Sequence, residues 1–261
     1  MTQPQLALVT GASSGIGFEL AKQFAQHGYD LVVAAEDDAI HDVPEKLSEY
    51  GAAVQPVQVD LRTPEGVEHL YHSTIEGDRV LAAAALNAGI GRGEMFLKSE
   101  LADDLSIVDL NVRSTVHLAK LVLRDMANRD EGKVLFTSSI ASEMPGSYQP
   151  VYNASKSFIQ SFAEALRDEL RDSAITITAL MPGPTDTNFF NRAKMTESLM
   201  GKGPKDDPAK VARQGFDALM RGNQKVVAAS VLVKAMGMAN RVLPDQVKAV
   251  GNRVMSMPRG N

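Results

Sequence analysis

The sequence predicts an α/β fold, a doubly wound parallel sheet in a single domain over residues 1–261. Three observations predict it. Short apolar runs alternate with stretches of helical pattern, the order of βαβ units with right-handed crossovers. Several of those runs lack in/out alternation, as strands covered on both faces do. A glycine-rich turn follows the first run directly and opens a helix. Composition agrees: 44% of the 261 residues are hydrophobic and 23% charged, ordinary for a globular chain and unlike a disordered one. At this length folding buries roughly 70–75% of the unfolded surface, so a full core is available.

Leu6–Thr10 reads as the first strand and Gly15–His27 as the helix after it. Leu31–Ala35 and Val54–Val59 are the next strands. Thr63 before Pro64 and Glu65 is an N-cap with proline in the first helical position. Leu81–Leu86 is an alanine-rich strand ending at Asn87-Ala88-Gly89, and Lys133–Ser138 and Ile175–Met181 complete a set of six. Phe158, Phe162, Leu166 and Leu170 recur every four residues, with Ile159 and Ala163 beside them. They mark one wide apolar stripe on a helix from about Tyr152 to Arg171. Residues 186–222 read as a substrate lid, and residues 223–261 as a C-terminal strand followed by a basic tail. In that tail Lys234, Arg241 and Lys248 fall seven apart, with Val231, Met238, Val242 and Met255 as an apolar side. A solvated face is preferred over a membrane contact.

Several function classes drop out. The net charge is −5, so no global field favours nucleic acid. With no cysteine, disulfides, thiol catalysis and cysteine-ligated metals are excluded. His and Asp do not cluster at ligand spacing, so no metal is expected. No apolar stretch approaches the roughly 18 residues of a spanning helix. Met1–Pro4 carries no basic region ahead of its apolar run, so a cytoplasmic protein is expected.

The turn itself is Gly11-Ala12-Ser13-Ser14-Gly15-Ile16-Gly17. Gly11 allows a tight turn, Gly15 a close approach to a pyrophosphate, and Gly17 the packing of helix on strand. The helix N-terminus offers free N–H groups and about half a positive charge to an anion. This is the arrangement of a Rossmann-like nucleotide site. Selectivity at the ribose belongs at the end of the second strand, where Glu36-Asp37-Asp38 is acidic. One carboxylate opposing a 2′-phosphate at ~6 Å, with a dielectric of ~40, costs about 2 kcal/mol. NAD is therefore expected over NADP, provided Glu36 faces the ribose. Arg62 is the nearest basic residue that could compensate.

Tyr152 and Lys156 lie at i and i+4 on one helix face. A cation ~5 Å from a phenol, at a dielectric of ~20, contributes about 3 kcal/mol, a little over two pKa units downward. That brings the phenol toward the range useful for general acid–base work. Ser139 ends a strand, where α/β sheets place ligands, and its hydroxyl could hold a substrate oxygen.

Taken together, Thr10–Gly17, Asp60, Asn87-Ala88-Gly89, Asn111, Ser138-Ser139, Tyr152–Lys156 and Pro182-Gly183 stand in one order and spacing. In these the chain resembles the short-chain dehydrogenase/reductase family over about Gln5 to Thr187. The resemblance implies an NAD(P)-dependent oxidoreductase acting on hydroxyl or carbonyl groups. It implies Tyr152 as acid/base, with Lys156 lowering its pKa and binding the nicotinamide ribose. Ser139 would orient the reacting oxygen, and Asn111 would hold a water linking Lys156 to solvent. Ser13, Ser14 and Ile16 belong to the glycine loop that holds the phosphates. Asp60 and Leu61 would contact the adenine, and Asn87, Ala88 and Gly89 would flank the adenosine ribose. Pro182 and Gly183 through Thr187 would cover the nicotinamide, with Thr185 and Thr187 bonding its amide. The family also implies a homodimer or homotetramer built through helices around Leu101–Met126 and Tyr152–Leu170. The departure lies at Glu36: NADP users commonly carry Arg there, and many NAD users carry Asp one position earlier, where Ala35 stands.

The substrate is expected to be a small apolar secondary alcohol or ketone. Its expected walls are Met144, Pro145, Tyr148 and Val151 before the tyrosine, and Phe189, Phe190, Met195, Leu199 and Met200 after Thr187. Arg92 and Arg192 could meet an anionic group. An NADPH-dependent 3-oxoacyl-thioester reductase and a catalytically silent nucleotide sensor remain as alternatives.

Overall fold

A computed structural model of the protein describes residues 5–77, 79–228 and 245–257. Seven strands form one parallel sheet: β1 (Gln5–Thr10), β2 (Tyr29–Ala35), β3 (Val54–Gln58), β4 (Leu81–Leu86), β5 (Gly132–Thr137), β6 (Ile175–Pro182) and β7 (Lys225–Ala228). Their spatial order is β3-β2-β1-β4-β5-β6-β7. The order reverses between β1 and β4, and ligands of such sheets bind outside the strand C-termini at that switch point. The six strands read from the sequence sit within two residues of their observed limits, and β7 is the strand expected after residue 222.

Each strand feeds both faces of the sheet, which explains the unbroken apolar runs. On one face Leu8, Val32, Leu86, Phe136 and Ile177 pack against helices α2 (Pro64–Ile75), α4 (Ser114–Arg129) and α5 (Pro150–Glu169). A short helix, α3 (Leu101–Ile107), leads through a π-helical turn at Val108–Arg113 into α4. On the other face Val9, Val33, Leu135 and Leu180 pack against α1 (Gly15–Gln26) and α8 (Pro208–Met220), with Phe24 edge-on to Phe216 at 5.1 Å. The alanines of β4 let helices approach closely on both sides. Thr63 caps α2 as its sequence suggests, its hydroxyl accepting from the Gly66 N–H at 3.1 Å.

Two expectations need correction. The range 186–222 is not one mobile unit, because α8 buries Val211, Ala212, Phe216 and Leu219 in the core. The cover near the cleft is confined to the segment holding α6 (Phe189–Arg192) and α7 (Leu199–Lys202). The apolar stripe is also divided. Ile159 and Ala163 face the sheet, whereas Phe158 is 40% exposed. Beyond β7, helix α9 (Asp245–Ser256) is described, while Val231, Lys234, Met238, Arg241 and Val242 and the side chain of Lys248 lie outside the described residues.

The β1–α1 turn depends on its glycines. Gly11 stands at φ +67°, and a Cβ on Gly17 would lie 2.0 Å from the Gly11 carbonyl oxygen. Gly17→Ala is expected to lower stability by about 1–3 kcal/mol through forced displacement of that turn. The midpoint of urea unfolding checks this, and an unchanged midpoint contradicts it.

Candidate active site

Strand C-termini, the turn after β1 and the start of α5 converge on one cleft. It is lined by Gly11, Ser13, Ser14, Gly15, Ile16 and Gly17 at the switch point, and by Glu36, Asp60 and Leu61 at one end. Asn87, Ala88 and Gly89 follow, then Ser139, Tyr152 and Lys156, with Pro182, Gly183, Thr185 and Thr187 along the far wall. The structure thus brings together every expected site residue except Asn111, which lies behind the wall.

The floor is stapled by hydroxyls and one carboxamide. The Thr10 hydroxyl accepts from the N–H groups of Asn87 and Ala88 at 2.9 and 3.0 Å. Asn87 Nδ2 donates to the Thr10 carbonyl at 3.1 Å, and its Oδ1 accepts from the Thr137 hydroxyl at 3.0 Å. These bonds lock the ends of β1, β4 and β5 together. At the start of α1, Ser14 occupies the N-cap without a side-chain cap, so the helix N–H groups are left to an anion. Ser13 instead donates to Asp37 at 3.0 Å.

Helix α5 brings in the titratable pair. Lys156 is 5% exposed, and its Nζ donates to the Thr137 carbonyl at 2.9 Å. The same ammonium sits 5.9 Å from the centre of the Tyr152 ring. A Cβ built on Gly89 would lie 3.1 Å from Lys156 Nζ and 3.2 Å from Asn111 Oδ1, so these groups crowd one point. Asn111 is fully committed as a donor: its Nδ2 bonds the Ile90 carbonyl and Ser155 Oγ, both at 2.9 Å. Its Oδ1 accepts from the Ile90 N–H at 2.9 Å.

Electrostatics depart from the sequence argument. Burial pushes the Tyr152 phenol up to about 12, with the hydrogen bond to Ser139 pulling the other way. Burial also depresses Lys156 to about 8. Spacing correctly places the two on one face, but desolvation raises the phenol, and what opposes it is the bond to Ser139 rather than the lysine.

At the Glu36 end of the cleft, Arg62 donates to Glu36 at 2.9 Å and to both oxygens of Asp60 at 2.8 and 3.1 Å. Asp60 is held below its usual range chiefly by that bond. Arg192 of α6 reaches back to Asp37 at 3.4 Å. Arg92 is no cleft residue, since it pairs with Asp103 at 3.0 Å and Glu94 at 3.5 Å. Thr185 turns its hydroxyl onto the Gly183 carbonyl at 2.9 Å.

Of the expected apolar walls, Met144, Phe189, Phe190 and Met200 line the cleft. Pro145, Tyr148, Val151 and Leu199 do not, and Met195 is packed under Phe190 and Ala193. Sequence reasoning missed Thr137, Gln149 and Asn252. It named Arg62 as the cation for Glu36 but not its bonds to Asp60, two residues earlier. Asn252 carried no signal, because nothing local ties it to the motifs. The described residues hold no group of three or more His, Cys, Asp or Glu that could hold a metal ion, and no helix long and apolar enough to cross a membrane.

Comparison with known proteins agrees with this geometry. A family model described as short chain dehydrogenase matches residues 5–198. The oxidoreductase UcpA of Salmonella typhimurium is 30% identical over 216 residues, 82% of this chain and 79% of that protein. A 3-oxoacyl-(acyl-carrier-protein) reductase of Synechocystis is 30% identical over 197 residues, 75% of this chain and 77% of that one. Among solved structures, a short-chain dehydrogenase from Sphingobium yanoikuyae in complex with NADPH is similar at a TM-score of 0.80 and 25% identity. That match covers 91% of this chain and 94% of the other. A short chain dehydrogenase/reductase from Burkholderia phymatum in complex with NAD shares the fold at a TM-score of 0.82 and 22% identity, covering 90% and 92%. A cleft of this kind and a family match over most of the chain lead to one conclusion: the chain belongs to the short-chain dehydrogenase/reductase family, the NAD(P)-dependent oxidoreductases.

Proposed function

We propose that the protein moves a hydride between NAD(H) and an apolar secondary alcohol or ketone, with Tyr152 as acid/base. The observation that carries this reading is the meeting of Ser139, Tyr152 and Lys156 in the cleft that also holds the open helix N-terminus at Ser14. A bound nicotinamide nucleotide supplies the hydride. The chain supplies position and the proton. The free N–H groups at the start of α1 would hold the pyrophosphate, Asp60 and Leu61 the adenine, and Asn87 to Gly89 the adenosine ribose. Pro182, Gly183, Thr185 and Thr187 would cover the nicotinamide. Thr187 is the better donor to its amide, since the Thr185 hydroxyl is committed to Gly183.

Ser139 and Tyr152 hold the substrate oxygen from two sides. In reduction Tyr152 gives its proton to the carbonyl oxygen, and in oxidation it takes one back. Lys156, fixed to Thr137, holds the nicotinamide ribose and restores the phenol proton. A relay water at Asn111 would use the one remaining lone pair of its oxygen, because both amide hydrogens and the other lone pair are committed. Met144, Phe189, Phe190 and Met200 exclude water and favour an apolar substrate.

Glu36 lines the cleft and is held there by Arg62, which supports NAD over NADP. Arg62 is itself shared with Asp60, so the group keeps a net negative charge beside the ribose. The chain's similarity to a 3-oxoacyl-(acyl-carrier-protein) reductase supports a thioester reductase as the second reading. Glu36 weighs against the NADPH that reading assumes. A homodimer or homotetramer is supported by exposed apolar residues on α3 and α5, Leu101, Leu105 and Phe158 among them.

Tyr152→Phe is expected to lower kcat at least about a hundredfold while the dissociation constant for NADH stays within about twofold. Turnover surviving within about tenfold contradicts the proton-transfer role. Titration of the protein with both cofactors should show NADH bound about tenfold tighter than NADPH, and Glu36→Gln should narrow that gap by removing one negative charge. Tighter NADPH binding in the native chain would overturn the assignment.

Lys156 also predicts a pH dependence of stability. The unfolded chain keeps the lysine proton to about 10.5, whereas the folded chain releases it from about 8. Between those values the unfolded state binds more protons, so stability rises with pH. Above 10 the buried Tyr152 acts oppositely, holding its proton to about 12 when the unfolded phenol has lost it. Urea unfolding from about pH 8 to 10 should therefore show a gain of roughly 2 kcal/mol that Lys156→Met abolishes. An equal slope in both proteins contradicts a buried ammonium.

A further inference from the structure

Helix α9 lies outside the residues matched by the family model, yet it closes part of the cleft. It packs against α7, and Asn252 lines the cleft, as do Gln149, Met144, Phe189, Phe190 and Met200. Its outer side carries Val250, Val254 and Met257, all exposed. Its inner side is polar: Asn252 is 5% exposed and Ser256 1% exposed. These two stand one helical turn apart and form a chain with Gln149, the residue just before α5. Gln149 Nε2 donates to Ser256 Oγ at 3.2 Å, and Ser256 Oγ donates to Asn252 Oδ1 at 3.0 Å.

The direction of that chain fixes what Asn252 has left. Its oxygen is committed to Ser256, so its free capacity is as a donor, through Nδ2. Among the described residues no acceptor meets that amide nitrogen. A donor that lines an apolar cleft is costly to cover unless the covering group accepts from it. A wholly hydrocarbon substrate would leave it unpaired, and a substrate with a second polar group would satisfy it.

We propose that Asn252 is a specificity-determining residue that donates a hydrogen bond to an acceptor on the substrate away from the reacting carbon. The substrate class is then an apolar ketone or secondary alcohol bearing one remote acceptor, such as a ring nitrogen, an ether or a second carbonyl oxygen. Gln149 and Ser256 orient the carboxamide. This inference rests on reading the cleft as an oxidoreductase site.

The test compares benzylacetone with its ortho-, meta- and para-pyridyl analogues, which keep the shape and add an acceptor at graded positions. Both kcat/KM and affinity for the protein–NADH complex are measured. The native protein is expected to favour at least one pyridyl ketone by about fivefold or more over the phenyl ketone. Asn252→Leu should bring that ratio to about one, and Asn252→Asp, which keeps the acceptor for Ser256 but loses the donor, should do the same. No preference in the native protein, or a ratio that survives both substitutions, overturns the assignment. Ketones that bind with the expected ratio but are not turned over would uphold the role of Asn252 and refute the oxidoreductase reading. Turnover of all four with equal kcat/KM and equal affinity would do the reverse.

Discussion

The bond from the Lys156 ammonium to the Thr137 carbonyl is the constraint on which the site depends. It ties the first turns of α5 to the end of β5, deep in the protein. The Ser138 hydroxyl reinforces it from the strand side by donating to the Lys156 carbonyl at 3.0 Å, and Asn111 reinforces it through Ser155. With the helix fixed at its second turn, Tyr152 one turn earlier has little freedom. It is held beside Ser139 at the strand end and against the ring of Phe189, 5.2 Å away between centres. Fixing a lysine there means burying it, and the same burial sets the proton affinities of both groups. Fixing geometry and shifting ionisation are thus two results of one packing arrangement.

The cleft divides into two chemical halves. Beyond the end of β2, acidic groups are met by cations: Glu36 and Asp60 by Arg62, and Asp37 by Arg192. Such partly exposed pairs add little stability each, and their effect is to hold carboxylates in fixed places. Beside Tyr152 the wall is aromatic and thioether, with polar groups few and in defined positions. The segment from Thr185 to α7 borders both halves.

Much of this was legible in the sequence, for identifiable reasons. Strands buried on both faces write themselves as unbroken apolar runs, so six of them could be placed closely. The Thr63-Pro64 start of α2 and the four-residue spacing of Tyr152 and Lys156 are local patterns and survive folding intact. What local spacing cannot carry is environment. It placed a cation near a phenol but not the depth at which both sit, so the direction of the Tyr152 shift came out inverted. It gave one broad stripe on α5, whereas the sheet takes Ile159 and Ala163 and leaves Phe158 outside. Arg62 to Glu36 and Gln149 to Ser256 are pairings across the fold, 26 and 107 residues apart, and no window along the chain contains them.

Burial, not pairing, governs the Lys156–Tyr152 couple. Its most direct measurement is a heteronuclear NMR titration of the Lys156 side chain in the native protein, assigned by comparison with Lys156→Met. A lysine that releases its proton near pH 8 is expected. A value at or above the ordinary 10.5 would mean an ammonium that is solvated or ion-paired, and would contradict burial as the cause.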